Sequence, residues 1–279
     1  MLPKKMFFPI GGGAELKERI HGALLVSKYF NSHLEILVAE HDIKNAIPNL
    51  VAIPDDILQR IETLQHDGSK EDRSVFEKSC KELGVVISEK PIEGKTTANE
   101  TLRVGTRSVI VAQQSKFCDV VIAATPPKGT ANASFEAAVV SSGKPVIVIP
   151  RKLKEFKADK ILIGWNNSAE ASRAITEALP LLKRAKEVHI VSAKAYTVEN
   201  LSRIKDLRSY LLLHGIETTF ELIKTTFIPG EALLKSITEG KFDMVVAGAF
   251  GKKGLKERML GGVSDYLLRH TPVPIFVSH

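Results

Sequence analysis

The chain has 279 residues, 44% of them apolar and 25% charged, with a net charge of +7 from 39 Lys and Arg against 32 Asp and Glu. That composition is ordinary for soluble globular protein, and the length suits two domains of roughly 140 residues better than one. No apolar run reaches the roughly 18–20 residues of a membrane-spanning helix. The only cysteines, Cys80 and Cys118, argue against a disulfide framework or a Cys-type zinc site. The basic residues are spread along the chain without interleaved aromatics, so a basic surface is expected rather than a nucleic-acid groove. A cytoplasmic location follows as the expectation.

The opening MLPKKMFFPIGGG meets glycines too soon for a signal-peptide core, and MFFPI (6–10) is predicted as a first buried strand. Short runs rich in Val and Ile follow: LEILVA (34–39), VVI (85–87), DVVIAA (119–124) and PVIVIP (145–150). The second half repeats the series as KILIGW (160–165), VHIVSA (188–193), TTFELI (218–223), DMVVAG (243–248) and PIFVS (274–278). Each run is bounded by turn residues or charge, the pattern of a buried strand. Segments such as 18–30, 55–65 and 172–185 have helical spacing, with 55–65 charged outside and apolar inside like a covering helix.

The halves match in places. Phe8 to Glu15 parallels Ile163 to Glu170, and Lys116 to Ala123 parallels Gly240 to Ala247. A repeat of this length is a duplicated domain, with the charged seam RKLKEFKADK (151–160) between copies and domains expected at 1–150 and 151–279. Alternating strands and helices predict an α/β fold: two tandem, doubly wound, parallel five-stranded sheets of flavodoxin or Rossmann type. In such sheets ligands bind at the carboxyl ends of the strands where the strand order reverses.

That rule singles out two loops of the second half. GWNNSAEASRA follows its first strand, with Asn167 or Ser168 as a candidate helix cap. GAFGKKGLKERMLGGVSD (248–265) follows its fourth. Glycines allow close backbone approach, and a helix N-terminus supplies free amides, so the pair can cradle phosphates. Glycines that merely end a strand and start a helix explain the same residues. The first half separates these readings in part. It spans 26 positions from Asp119 to Pro145 against 31 from Asp243 to Pro274, and Ala124 replaces Gly248. The extra glycines are therefore not needed simply to cross from strand to helix.

Gly248-Ala-Phe-Gly251, nine residues, then Gly261-Gly262 resembles the Gly-x2-Gly-x9-Gly-(Ser/Thr) pattern of the universal stress proteins. The flanks DMVVAG, TPVPIFVSH and HGIETTFELI are similar too, and the resemblance covers the chain as a tandem pair. It implies an adenine nucleotide, ATP with or without Mg, held by Gly164, Trp165, Asn166, Ala247, Gly248, Phe250, Gly251, Gly261, Gly262, Val263 and Ser264. Trp165 is suited equally to stacking on a base and to closing a hydrophobic strand end. Two positions depart from the pattern. Gly262 stands where a hydroxyl is usual, and Asn166 where ATP-binding members carry Asp, which removes a charge-assisted hydrogen bond. The first half is read as a degenerate copy.

No Walker loop, nucleophile elbow, H-E-x-x-H or histidine metal spacing is present. No catalytic or metal residue is assigned, and a binding protein is favoured over an enzyme. A nucleotide-independent interaction module and a slow ATPase are the other readings. The resemblance further implies that PVIVIP and PIFVS pair inside one chain as a pseudo-dimer, and it leaves homodimers open. Asp119 and Asp243, ahead of the fourth strand in each half, are expected to cap the amino edge.

Overall fold

The computed structural model describes residues 2–11, 14–40, 70–193, 198–224, 229–249 and 263–279. The first half runs β1 (Lys5–Ile10), α1 (Leu16–Phe30), β2 (His33–Glu40), a helix α2 described over 70–83, β3 (Val86–Ile87), β4 (Thr97–Val104), α3 (Arg107–Gln114), β5 (Val120–Ala124), α4 (Ala133–Val140) and β6 (Val146–Ile149). The second runs β7 (Lys160–Trp165), α5 (Ala169–Leu182), β8 (Glu187–Ala193), α6 (Val198–Leu213), β9 (Thr219–Ile223), α7 (Pro229–Glu239), β10 (Met244–Gly248), α8 (Val263–His270) and β11 (Ile275–Ser278). The helix expected over 55–65 lies outside the described residues.

The α/β architecture is as expected, but the sheets are not two and not both five-stranded. One eleven-stranded sheet runs β3-β4-β2-β1-β5-β6-β11-β10-β7-β8-β9. All pairings are parallel except β6 with β11, where Phe276 faces Ile147. That antiparallel seam fuses the halves, as the pseudo-dimer reading anticipates. Within each half the order is 3-2-1-4-5, not the 2-1-3-4-5 of flavodoxin, and the first and fourth strands are neighbours.

The first half gains its sixth strand in β4. TANETLRV is polar and alternates poorly, so its apolar content gives little sign of a strand. It is held by the backbone ladder, with eight residues in register with β2 from His33–Thr97 to Glu40–Val104. Val85–Ile87, expected as the third strand, shrinks to the two-residue edge strand β3.

Alternation along the strands sends side chains to two apolar layers that each span both halves. Met6, Phe8, Ile10, Ile161 and Ile163 join Ile20 and Leu24 of α1, Ala174 and Ile175 of α5 and Leu207 of α6. Phe7, Leu162 and Val245 join Val111 of α3, Phe135 of α4, Leu233 of α7 and Leu267 of α8. Helices therefore cover both faces, as right-handed crossovers demand.

The two aspartates have the expected role. Asp119 accepts hydrogen bonds from the Lys4 and Lys5 amides at 2.7 and 2.9 Å, and Asp243 from those of Asp159 and Lys160 at 3.1 and 2.9 Å. Each ties the start of its fourth strand to the start of its first. Cys80 and Cys118 are free and buried, and burial pushes both thiols up to about 12. Among the described residues no helix is long and apolar enough to cross a membrane, and no cluster of His, Cys, Asp and Glu could hold a metal ion.

Candidate functional site

In the second half the ends of β7 and β10 lie side by side. Ala247 pairs with Gly164 and Gly248 with Ser278 of β11, so Gly164, Trp165, Ala247 and Gly248 meet at the carboxyl edge. Ala249 continues the line, its amide donating to the Ser278 carbonyl at 3.0 Å. The His279 ring contacts the Ala249 carbonyl at 3.2 Å, so β10 ends pinned against the chain terminus.

Beyond β7 the chain turns through Asn166 and Asn167, and Asn167 takes the left-handed conformation at φ 58°. The Asn166 side-chain carbonyl accepts the Ser168 amide at 3.2 Å, and the Ser168 hydroxyl caps α5 by accepting the Ala171 amide at 3.1 Å. Asn166 is thus exposed, and its side-chain oxygen closes the turn. An Asp in its place would also accept from the turn and keep a charge for a ligand.

The described glycines have packing reasons of their own. A methyl at Gly248 would lie 2.5 Å from the Ala171 nitrogen and 2.9 Å from the Glu170 carbonyl carbon, because the first turn of α5 sits against the strand end. One at Gly164 would meet Leu233 of α7 at 3.3 Å and Ala247 at 3.6 Å. Gly164 and Ala247 therefore belong to the α7 face and Gly248 to the α5 face.

Trp165 follows Ile161 and Ile163 onto the α5 face, and its ring packs against that apolar layer. The hydrophobic strand-end role fits this placement. Its indole Nε1 is buried without a hydrogen-bond partner. A Trp165→Phe variant removes that unmatched donor, so its stability in urea should stay within about 1 kcal/mol of wild type. A loss well above that range would show that the indole N–H has an acceptor.

Glu170, which sequence reasoning passes over, occupies the first turn of α5. Its own backbone amide donates to its carboxylate, and together with the Ser168 side chain this holds the carboxyl below its usual range. The N-terminus of α5 thus carries a built-in anion. Val263 begins α8 and packs, with Ala247, against the α7–α8 layer. Ser264 is the second residue of α8, and its side chain lies outside the described set, as do Phe250, Gly251, Gly261 and Gly262. Of the expected site residues the structure therefore brings Gly164, Trp165, Asn166, Ala247 and Gly248 to one strand edge, while Val263 shares only the apolar layer of Ala247.

At the switch point, then, small residues line two adjacent strand ends, and Asn166 stands exposed beside them.

A family model described as the universal stress protein family matches residues 157–279. No match is found among curated proteins. Among solved structures, a universal stress protein from Archaeoglobus fulgidus is similar over 98% of this chain and 97% of its own, at 16% identity and a TM-score of 0.72. A putative universal stress protein from Pseudomonas aeruginosa is similar over 99% and 93%, at 18% identity and a TM-score of 0.56. A functionally unknown protein from the same organism is similar over 99% and 92%, at 17% identity and a TM-score of 0.55. At these identities the likeness is one of fold.

Proposed function

We propose, from the match of residues 157–279 to the universal stress protein family, that the chain is a stress-response protein whose second half binds an adenine nucleotide, ATP foremost. Residues 151–279 would be the binding domain and 1–150 its degenerate partner. The observation that supports this reading is the pairing of Ala247 with Gly164, which sets the carboxyl ends of β7 and β10 side by side. Gly251, Gly261, Gly262 and the hydroxyl of Ser264 would wrap the phosphates, and Asn166 would meet the base or ribose. Any magnesium would arrive on the triphosphate. With no base or nucleophile assigned, binding would act in the cytoplasm as a sensing or regulatory event.

Equilibrium dialysis with ATP at near-millimolar concentration tests the proposal. Wild type should retain nucleotide and Gly251→Val should not. Absence of adenine-nucleotide binding by wild type ends the reading.

The interaction-module reading has one observation in its favour: the Asn166 carbonyl is already engaged by Ser168. It predicts a thermal midpoint indifferent to ATP, whereas a ligand bound by the native state raises the midpoint.

A further inference from the structure

The carboxyl edge of the first half, expected to be a degenerate site, holds a crevice of about 430 Å³ between the ends of β1 and β5. That volume is within the range of small-molecule sites, roughly 300–1,000 Å³. Its floor is apolar, from Phe8, Ala123, Ala124 and Phe135, while among the described residues Arg19, Arg107 and Arg151 line it against the one carboxylate of Glu15.

The carboxylate is already committed. Glu15 pairs with Arg151 at 2.6 Å and with Lys152 at 3.0 Å. Arg151 is further fixed by the carbonyls of Ala14 at 2.7 Å and Thr125 at 3.2 Å. Arg19 donates to the Gly11 carbonyl at 2.8 Å, and Asp72, Glu15 and Glu18 bear on its charge.

Arg107 is placed differently. It donates to the Pro9 carbonyl at 3.1 Å, and its Nε is buried without a partner. Among the described residues it forms no ion pair, and the charge that bears on it is the like charge of Arg19. Burial and that repulsion push its guanidinium down to about 10. A half-buried cation facing another cation is stabilised when an anion joins them.

The duplication shows that this is a departure built into the sequence. Twelve residues before Asp119 stands Arg107, and twelve before Asp243 stands Glu231, so the sign of the position is reversed. Gly11, at the place of Asn166, makes room for the guanidinium, because a methyl there would collide with Arg107. Helix α1 also starts two residues later than α5 does, at Leu16 where the counterpart of Ala169 is Ala14. The strand end is thereby uncovered and the crevice opened.

We propose that this crevice binds a phosphate-bearing small molecule, with Arg107 as the principal anion contact, Arg19 beside it and the first turn of α4 at Ser134 opposite. The planar fork of arginine suits phosphate oxygens, and Arg107 lines the crevice without a carboxylate of its own among the described residues.

Calorimetric titration of the full chain in phosphate-free buffer tests it, with inorganic phosphate and ribose 5-phosphate as probes. Wild type should bind at least one of them at or below millimolar concentration. Tighter binding of the ester makes an organic phosphate the source, and equal binding makes it free phosphate. Arg107→Gln should weaken binding about tenfold or more. Because that change removes a half-buried cation that faces Arg19, its thermal midpoint without phosphate should equal or exceed that of wild type. Ser134→Asp is the second variant. A carboxylate suits the second position of a helix, so the fold is kept while the crevice acquires its own anion and should lose phosphate. Absence of binding of both probes at 10-fold above about 1 mM, or full binding by Arg107→Gln, overturns the proposal. Binding of ATP by the second half is measured separately by dialysis on the same variants, so loss of one activity leaves the other testable.

Discussion

Gly248→Ala should destabilise the protein by about 1–3 kcal/mol, while Ala124→Gly at the duplicate position should cost no more than about 1 kcal/mol. The contrast comes from the helix that follows the first strand in each half. At Gly248 the added methyl meets backbone, the Ala171 nitrogen at 2.5 Å and the Glu170 carbonyl carbon at 2.9 Å. Backbone at a capped helix start cannot swing aside as a side-chain tip can. Relief requires moving α5, whose first turn is fixed by the Ser168 cap and whose Ala171, Ala174 and Ile175 are buried. In the first half α1 begins two residues later, and the strand end accepts the methyl of Ala124. Urea denaturation of both variants, followed by circular dichroism, reads the difference. Equal stability of Gly248→Ala and wild type would mean that α5 yields to the methyl, and would leave ligand approach as the reason for the glycine.

The same comparison explains what the sequence discloses about the site. The strand ends were legible because Val- and Ile-rich runs recur at matching places, and the duplication placed Gly164 and Gly248 on one edge. The packing role of Gly248 was not legible, since it depends on how closely α5 approaches β10. Nor was β4, where TANETLRV is carried by main-chain pairing to β2 rather than by an apolar pattern. The arginine crevice is an intermediate case. Arg107 stands where the copy has Glu231, and aligning the halves through their paired aspartates exposes that sign change. That Arg19 and Arg151 converge on the same space is set by the later start of α1 and by the seam residue Arg151 folding back onto Glu15. Neither is visible as a motif.

Phe276→Ala should lower the stability of the whole chain by about 3–5 kcal/mol, the cost of a large cavity in a packed core. Phe276 is 2% exposed and sits directly opposite Ile147, itself fully buried, across the antiparallel junction of β6 and β11. Both side chains belong to the layer that runs continuously from Met6 and Leu24 in the first half to Ile161 and Ala174 in the second. The cavity therefore opens at the junction and not inside one half. Net stabilities of folded proteins are commonly about 5–15 kcal/mol, so the loss is a large fraction of the total. Since Val146 and Val148 of β6 meet Val277 and Ile275 of β11 on the other face as well, each half would leave an apolar edge strand of 4 residues exposed without its partner. The two halves should accordingly unfold in one cooperative calorimetric transition, and Phe276→Ala should move that single transition downward. Two separate transitions, with only the second displaced by the substitution, would show instead that the halves fold independently and that the seam adds little to either.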